Sequence, residues 1–132
     1  MELQPEMLVD SPAYVPRGKH LILTLSGCTD SILDDRPCLE SLVRRAAEAT
    51  GATVLSIQAH HFEPHGVTVL ALLAESHMSL HSYPETGVVF VDCFTCGACD
   101  PRRSMPILTA ALRPSRVQDH LLHRDDQLTS LI

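Results

Sequence analysis

The stretch ATVLSIQAHHFEPHGVTVLALLAESHMSLHSYPETGVVFVDCF, residues 52–94, decides the fold. Ala52 to Phe62 carries Thr53, Val54 and Ile57 and reads as a strand, because β-branched side chains suit a pleated surface. Glu63-Pro64-His65-Gly66 is a turn, with proline fixing one backbone angle and glycine free to adopt angles other residues avoid. Thr68 to Ala74 is a second, apolar strand, and His77 to Tyr83 alternates loosely until Pro84 stops it. Thr86-Gly87 then leads into Val88-Val-Phe-Val-Asp-Cys-Phe94, a further strand. Such short connections join neighbours that run in opposite directions, so the pairing is antiparallel.

On the N-terminal side, residues 1–17 hold Pro5, Pro12 and Pro16 and read as an irregular lead-in. His20 to Leu25 is a strand ended by Ser26-Gly27. Asp34-Asp35 followed by Pro37 starts a helix: acids sit at its positive end, and the N–H that proline lacks would be unpaired there anyway. Leu39, Leu42, Val43 and Ala46 then form one apolar face at helical spacing, and Gly51 stops the helix. On the C-terminal side, Asp100-Pro101 and Pro106 open a second helix whose apolar face uses Ile107, Leu108, Ala111 and Leu112. A short strand near Val117 to Leu122 follows, and the acidic tail frays. The sum is an α+β two-layer sandwich, an antiparallel sheet with two helices on one face, in a single domain of residues 1–132. The uncovered sheet face is apolar enough to need a cover, so the chain is expected to dimerise through its sheets.

The 132 residues fit one domain, and 45% apolar with 20% charged is a globular composition, not a disordered one. Asp and Glu outnumber Lys and Arg by 16 to 10, with no basic run beyond Arg44-Arg45 or Arg102-Arg103, so nucleic acid is not an expected partner. A cationic small molecule suits the formal charge of −6. Glu2 and Glu6 without a positive first region predict no secretory signal, and the longest nearly apolar run, Val67 to Ala74, is too short to span a bilayer. Five cysteines are an odd count, against a closed disulfide framework and for a cytoplasmic location.

Three constellations compete for chemistry. Cys93-Phe-Thr-Cys96-Gly-Ala-Cys99 has metal-ligand spacing but lacks a fourth ligand, since Arg103 follows and Cys28 and Cys38 lie far off. Its plainer reading makes Cys93 a strand side chain and Cys96 a turn residue. His77 and His81 share one strand face with Ser79 between them, and His60, His61 and His65 flank the preceding turn, yet no H-E-x-x-H helix accompanies them. A nucleophile could be Cys96 with His81 as base, or Ser76 beside His77 and Glu75, but neither sits in a known elbow. Spacing alone leaves a Ser/His/Cys neighbourhood of open role.

The segment Ala74-Glu75-Ser76-His77-Met-Ser-Leu-His81-Ser-Tyr83-Pro84-Glu85, followed by Val91-Asp92-Cys-Phe94-Thr95-Cys96-Gly97, resembles the prokaryotic S-adenosylmethionine decarboxylase proenzymes. These carry an E-S-H-x-x-x-H-x-(W/Y)-P-E block and then D-x-(F/Y)-T-C-G. The resemblance runs in matching order through about residues 18–124, including Gly18-Lys-His-Leu, Phe62-Glu-Pro-His-Gly-Val-Thr68 and Arg113-Pro-Ser-Arg-Val. It implies self-cleavage at Glu75–Ser76 into residues 1–75 and 76–132, with Ser76 becoming a pyruvoyl group that takes the substrate amine as a Schiff base. On this resemblance no metal or external cofactor is needed.

The same resemblance gives His81 the proton acceptance that aids processing, Cys96 the return of a proton to the decarboxylated carbon, and Thr68 an assisting hydroxyl. It places Phe62 against the adenine, Glu85 on the ribose hydroxyls and Tyr83 beside the pocket. The product, decarboxylated S-adenosylmethionine, is the aminopropyl donor of polyamine synthesis, and the acting species is a homodimer of cleaved protomers. The chain departs from the family at Val69, a frequent glycine, at Val88-Val-Phe90, and at Asp125, where glycine is usual. None of these departures touches Ser76, His81 or Cys96, so self-processing is the safer implication. Substrate choice is less so, because some members of the superfamily decarboxylate L-ornithine or L-arginine on the same scaffold. An uncleaved binding or regulatory homologue is a further alternative. Phe62 and Glu85 favour a nucleoside-bearing substrate, since a short amino acid has neither a ring to stack nor a diol to bind.

Overall fold

In a computed structural model of the chain, which describes residues 16–126, six strands and two helices account for most of the backbone. β1 spans Arg17–Ser26, β2 Val54–His61, β3 Val67–Leu73, β4 Ser76–Tyr83, β5 Val88–Cys96 and β6 Arg116–Asp125. They form one sheet in the order β2-β3-β4-β5-β1-β6, with every neighbouring pair antiparallel. β2 through β5 are a meander, as short turns dictate, whereas β1 is inserted between β5 and β6.

Helix α1, Arg36–Ala49, begins where its caps say it should: the Asp35 carboxylate accepts the Cys38 N–H at 3.1 Å, and Pro37 sits in the first turn. Its stripe of Leu39, Leu42, Val43 and Ala46 is fully buried. Helix α2, Ser104–Leu112, follows a 3-10 turn at Pro101–Arg103 and buries Leu108 and Leu112, with Ile107 and Ala111 partly covered. Both helices pack on the sheet face built from Leu21, Leu23 and Leu25 of β1, Val69 and Ala71 of β3, Leu80 of β4 and Val91 of β5. This is the α+β two-layer sandwich.

Three details differ from expectation. Arg17, the last residue of the lead-in, already opens β1, while residues 1–15 lie outside the described residues. The last strand is longer than Val117 to Leu122, because all ten residues of β1 find partners along it, from Arg17 opposite Asp125 to Ser26 opposite Arg116. That backbone pairing holds Arg124 and Asp125 in the sheet; the rest of the tail expected to fray, 127–132, lies outside the described residues. A single helical turn at Asp30–Leu33 is too short to leave a periodic pattern. Its Leu33 carbonyl accepts the buried Ser82 hydroxyl at 2.6 Å, which ties it to β4.

Candidate active site

Among the described residues no helix lies over the other sheet face, and its side chains form cross-strand rows. One row runs His20, Phe94, His77, Leu72; the next runs Ile22, Asp92, Ser79, Leu70; a third runs Thr24, Phe90, His81, Thr68, His60. Ile22, Leu70, Leu72 and Phe90 are exposed here, a large apolar content for a face left in water.

At one end of β4 lie Glu75, Ser76 and Cys96. Ser76 opens the strand with its residue 9% exposed, on the core-side alternation, and Glu75 before it takes a left-handed backbone with φ of 61°. A non-glycine residue there is strained by its Cβ, at a cost of roughly 1–2 kcal/mol. The Cys96 thiol, on the last residue of β5 and not in the turn beyond it, donates to the Glu75 carbonyl at 3.3 Å. A serine, the carbonyl before it and a thiol donor on that carbonyl therefore meet.

At the other end of the same strand lie the remaining candidates. Thr68 Oγ1 and His81 Nδ1 are 2.9 Å apart across β3 and β4. Phe62, just after β2, is exposed and meets the His60 ring edge-on at 4.6 Å. Tyr83 packs edge-on against Phe90 at 5.4 Å, and Glu85 is held by His65 Nε2 at 2.5 Å. His65 and His60 were legible only as turn-flanking histidines; their partners arise from strand register, which spacing does not reveal.

Within one chain the two groups stay apart. Ser76 and His81 are five residues apart on one strand, about 17 Å, and their side chains leave on opposite sides of the sheet. Phe90, opposite His81, and Cys96 are six residues apart on β5, about 20 Å, so a Cys96–His81 nucleophile pair is excluded inside one chain. The Ser76–His77 pairing fails also, since adjacent strand residues face opposite ways.

The cysteine run does not converge either. Cys93 is buried in the core, where burial pushes its thiol up to about 12, while Cys96 belongs to the open face. A grouping with ligand geometry among the described residues is His20, His77 and Asp92. Asp92 is an acid inside an apolar strand: burial raises its pKa, but hydrogen bonds from Ser79, His20 and His77 outweigh that and leave it below the usual carboxylate value. A shallow, open depression lined by Ser31, Asp34, Asp35 and His61 lies near the Ser82 end of β4, where Leu33 accepts the Ser82 hydroxyl and Asp34 the Gly66 N–H. No helix among the described residues is long and apolar enough to cross a membrane.

Comparison with known proteins adds the chemistry's class. The sequence pattern of the family described as S-adenosylmethionine decarboxylase matches residues 19–125. The S-adenosylmethionine decarboxylase proenzyme of Methanococcus vannielii is 44% identical over 102 residues, covering 76% of this chain and 84% of the relative. That of Brevibacillus brevis is 44% identical over 104 residues, covering 78% of each. The crystal structure of the adenosylmethionine decarboxylase from Aquifex aeolicus superposes with a TM-score of 0.73 at 31% identity, covering 80% of this chain and 88% of that one. With the pattern spanning most of its length and the same sheet beneath, this chain belongs to the S-adenosylmethionine decarboxylase family, a family of decarboxylases.

Proposed function

We propose that this chain is a proenzyme that cuts itself between Glu75 and Ser76 and then decarboxylates S-adenosylmethionine, supplying the aminopropyl donor for polyamine synthesis. The observation that carries this reading is the Cys96 thiol on the carbonyl of a strained Glu75, next to Ser76. Attack by the Ser76 hydroxyl on that carbonyl carbon breaks the amide, forms an ester and frees the amine of residue 76. Negative charge gathers on the carbonyl oxygen as this happens, so a donor already placed there favours the step. Loss of the Ser76 α-proton then expels the Glu75 carboxylate, and water releases ammonia from the residue left behind.

The pyruvoyl group so formed would supply an electron sink for the bond to the departing carbon dioxide. The rest falls to the protein's own side chains. Cys96, at this end of β4, returns a proton to the substrate carbon in this reading. Phe62 offers a flat apolar face for adenine, and Glu85, oriented by His65, offers two acceptors for a ribose diol.

Thr68, His81, Phe62 and Glu85 cannot reach Ser76 of their own chain, so the reading needs a second copy. Two sheets facing each other about a twofold axis, with strands reversed, lay the Thr68–His81 end of one over the Ser76–Cys96 end of the other, twice. The exposed apolar residues of the open face then form the contact. Co-production of Ser76→Ala with His81→Ala tests this. Cleavage of the His81→Ala chain should return in the mixture although neither variant processes alone; no recovery would defeat the shared site. Carbon dioxide release measured on S-adenosylmethionine, ornithine and arginine tests the substrate, and turnover of ornithine or arginine alone would overturn it.

A further inference from the structure

We propose that His20, His77 and Asp92 form a binding site for one divalent transition-metal ion of the zinc class on the open sheet face. Their ligand atoms lie on three adjacent strands, β1, β4 and β5, all within 4.8 Å of one another. His20 Nε2 is 2.7 Å and His77 Nε2 is 3.0 Å from the same carboxylate oxygen, Asp92 Oδ2. Ligands on a tetrahedral zinc ion stand about 3.3 Å apart, given bonds near 2.0 Å, so two of the three edges need only open slightly. The strands at the middle of the sheet fix the backbones; within the single chain His77 is 47% and Asp92 29% exposed, and in the facing pair of sheets proposed above the cluster lies between the two copies.

The supporting contacts have the character of an outer shell. Ser79 donates to the second carboxylate oxygen of Asp92, which fixes that group's rotation. Phe94, between the two histidines in the same row, stacks on His77 and meets His20 edge-on, holding both rings. Two imidazoles and one carboxylate with an open fourth position suit zinc, nickel or copper and disfavour magnesium, which prefers oxygen ligands.

One neighbour opposes the ion. Arg124 of β6 points Nη1 at His20 Nδ1, 3.4 Å away, and its guanidinium lies over the Phe94 ring. A metal on His20 Nε2 moves the ring proton to Nδ1, where it would meet that donor, so Arg124 must withdraw. Binding should therefore be limited by Arg124 and tightened by its removal, an effect that a chance collection of surface histidines would not display.

Calorimetric titration of the full-length, chelator-stripped protein with Zn2+, and visible absorption on titration with Co2+, test the site. One ion per chain is expected, with no heat from Mg2+. Asp92→Asn and His20→Gln, each verified as folded by circular dichroism, should weaken Zn2+ at least about tenfold, the lower bound seen even for outer-shell losses. Arg124→Ala should tighten it, and His61→Gln should leave it unchanged. Absence of stoichiometric binding, or binding that survives both ligand variants, would overturn the proposal. None of these readouts requires cleavage or turnover.

Discussion

Glu75 and Cys96 are the residues at which the smallest change should have the largest chemical effect. Glu75→Gly removes the Cβ that makes φ of 61° costly, so it should stabilise the uncut chain by about 1 kcal/mol and slow self-cleavage by up to about fivefold. Thermal melting in a Ser76→Ala background and gel-resolved cleavage rates with Ser76 present measure the two effects. Cys96→Ala deletes the donor on the scissile carbonyl, and one neutral hydrogen bond of about 1 kcal/mol predicts cleavage slowed by several-fold, with turnover falling far more. Cys96→Ser, which keeps a donor, should recover cleavage better than turnover. The identities of these residues are legible in the sequence, but Glu75's backbone is not: only the closed turn between β3 and β4 fixes it.

Elements are legible wherever their signals are local. The Asp35 cap, Pro37 and the Leu39-Leu42-Val43-Ala46 stripe locate α1 to within a residue or two, and Leu42→Ala should cost about 2–5 kcal/mol, read from urea unfolding, because Leu42 is wholly buried. The strands of the meander are nearly as plain, since turn residues bound each of them except at Ala74-Glu75, between β3 and β4. The full length of β6 is not, because Arg116 to Asp125 is mostly exposed and is held by backbone pairing to a strand about a hundred residues earlier. The site shares that limit. His65 on Glu85, and the Asp92 cluster, depend on which strands lie side by side and in what register.

The open face is the feature of the whole molecule that most needs a partner. Leu70→Asp puts a charge at its middle, where Leu70 is 49% exposed, and should shift the sedimenting species to a monomer that cleaves slowly or not at all. Acid should loosen the fold from a different place. The Gly66 N–H, then His61, hold the Asp34 carboxyl below its ordinary value, and both contacts span about thirty residues. Their contribution is present above the unfolded value near 3.9 and is lost as pH falls through the lower folded one. Melting temperature between pH 6 and pH 3 should fall accordingly, and Asp34→Asn should flatten that fall. The strand order carries one last consequence. A break at 75–76 would leave β1, α1, β2 and β3 on one piece and β4, β5, α2 and β6 on the other, with β1 interleaved between β5 and β6. Three strand borders then join the pieces, so the cut protein holds together, yet once unfolded its halves must find each other by diffusion. Refolding becomes a second-order reaction, dependent on dilution, and a molecule that has matured has only one easy chance to be assembled.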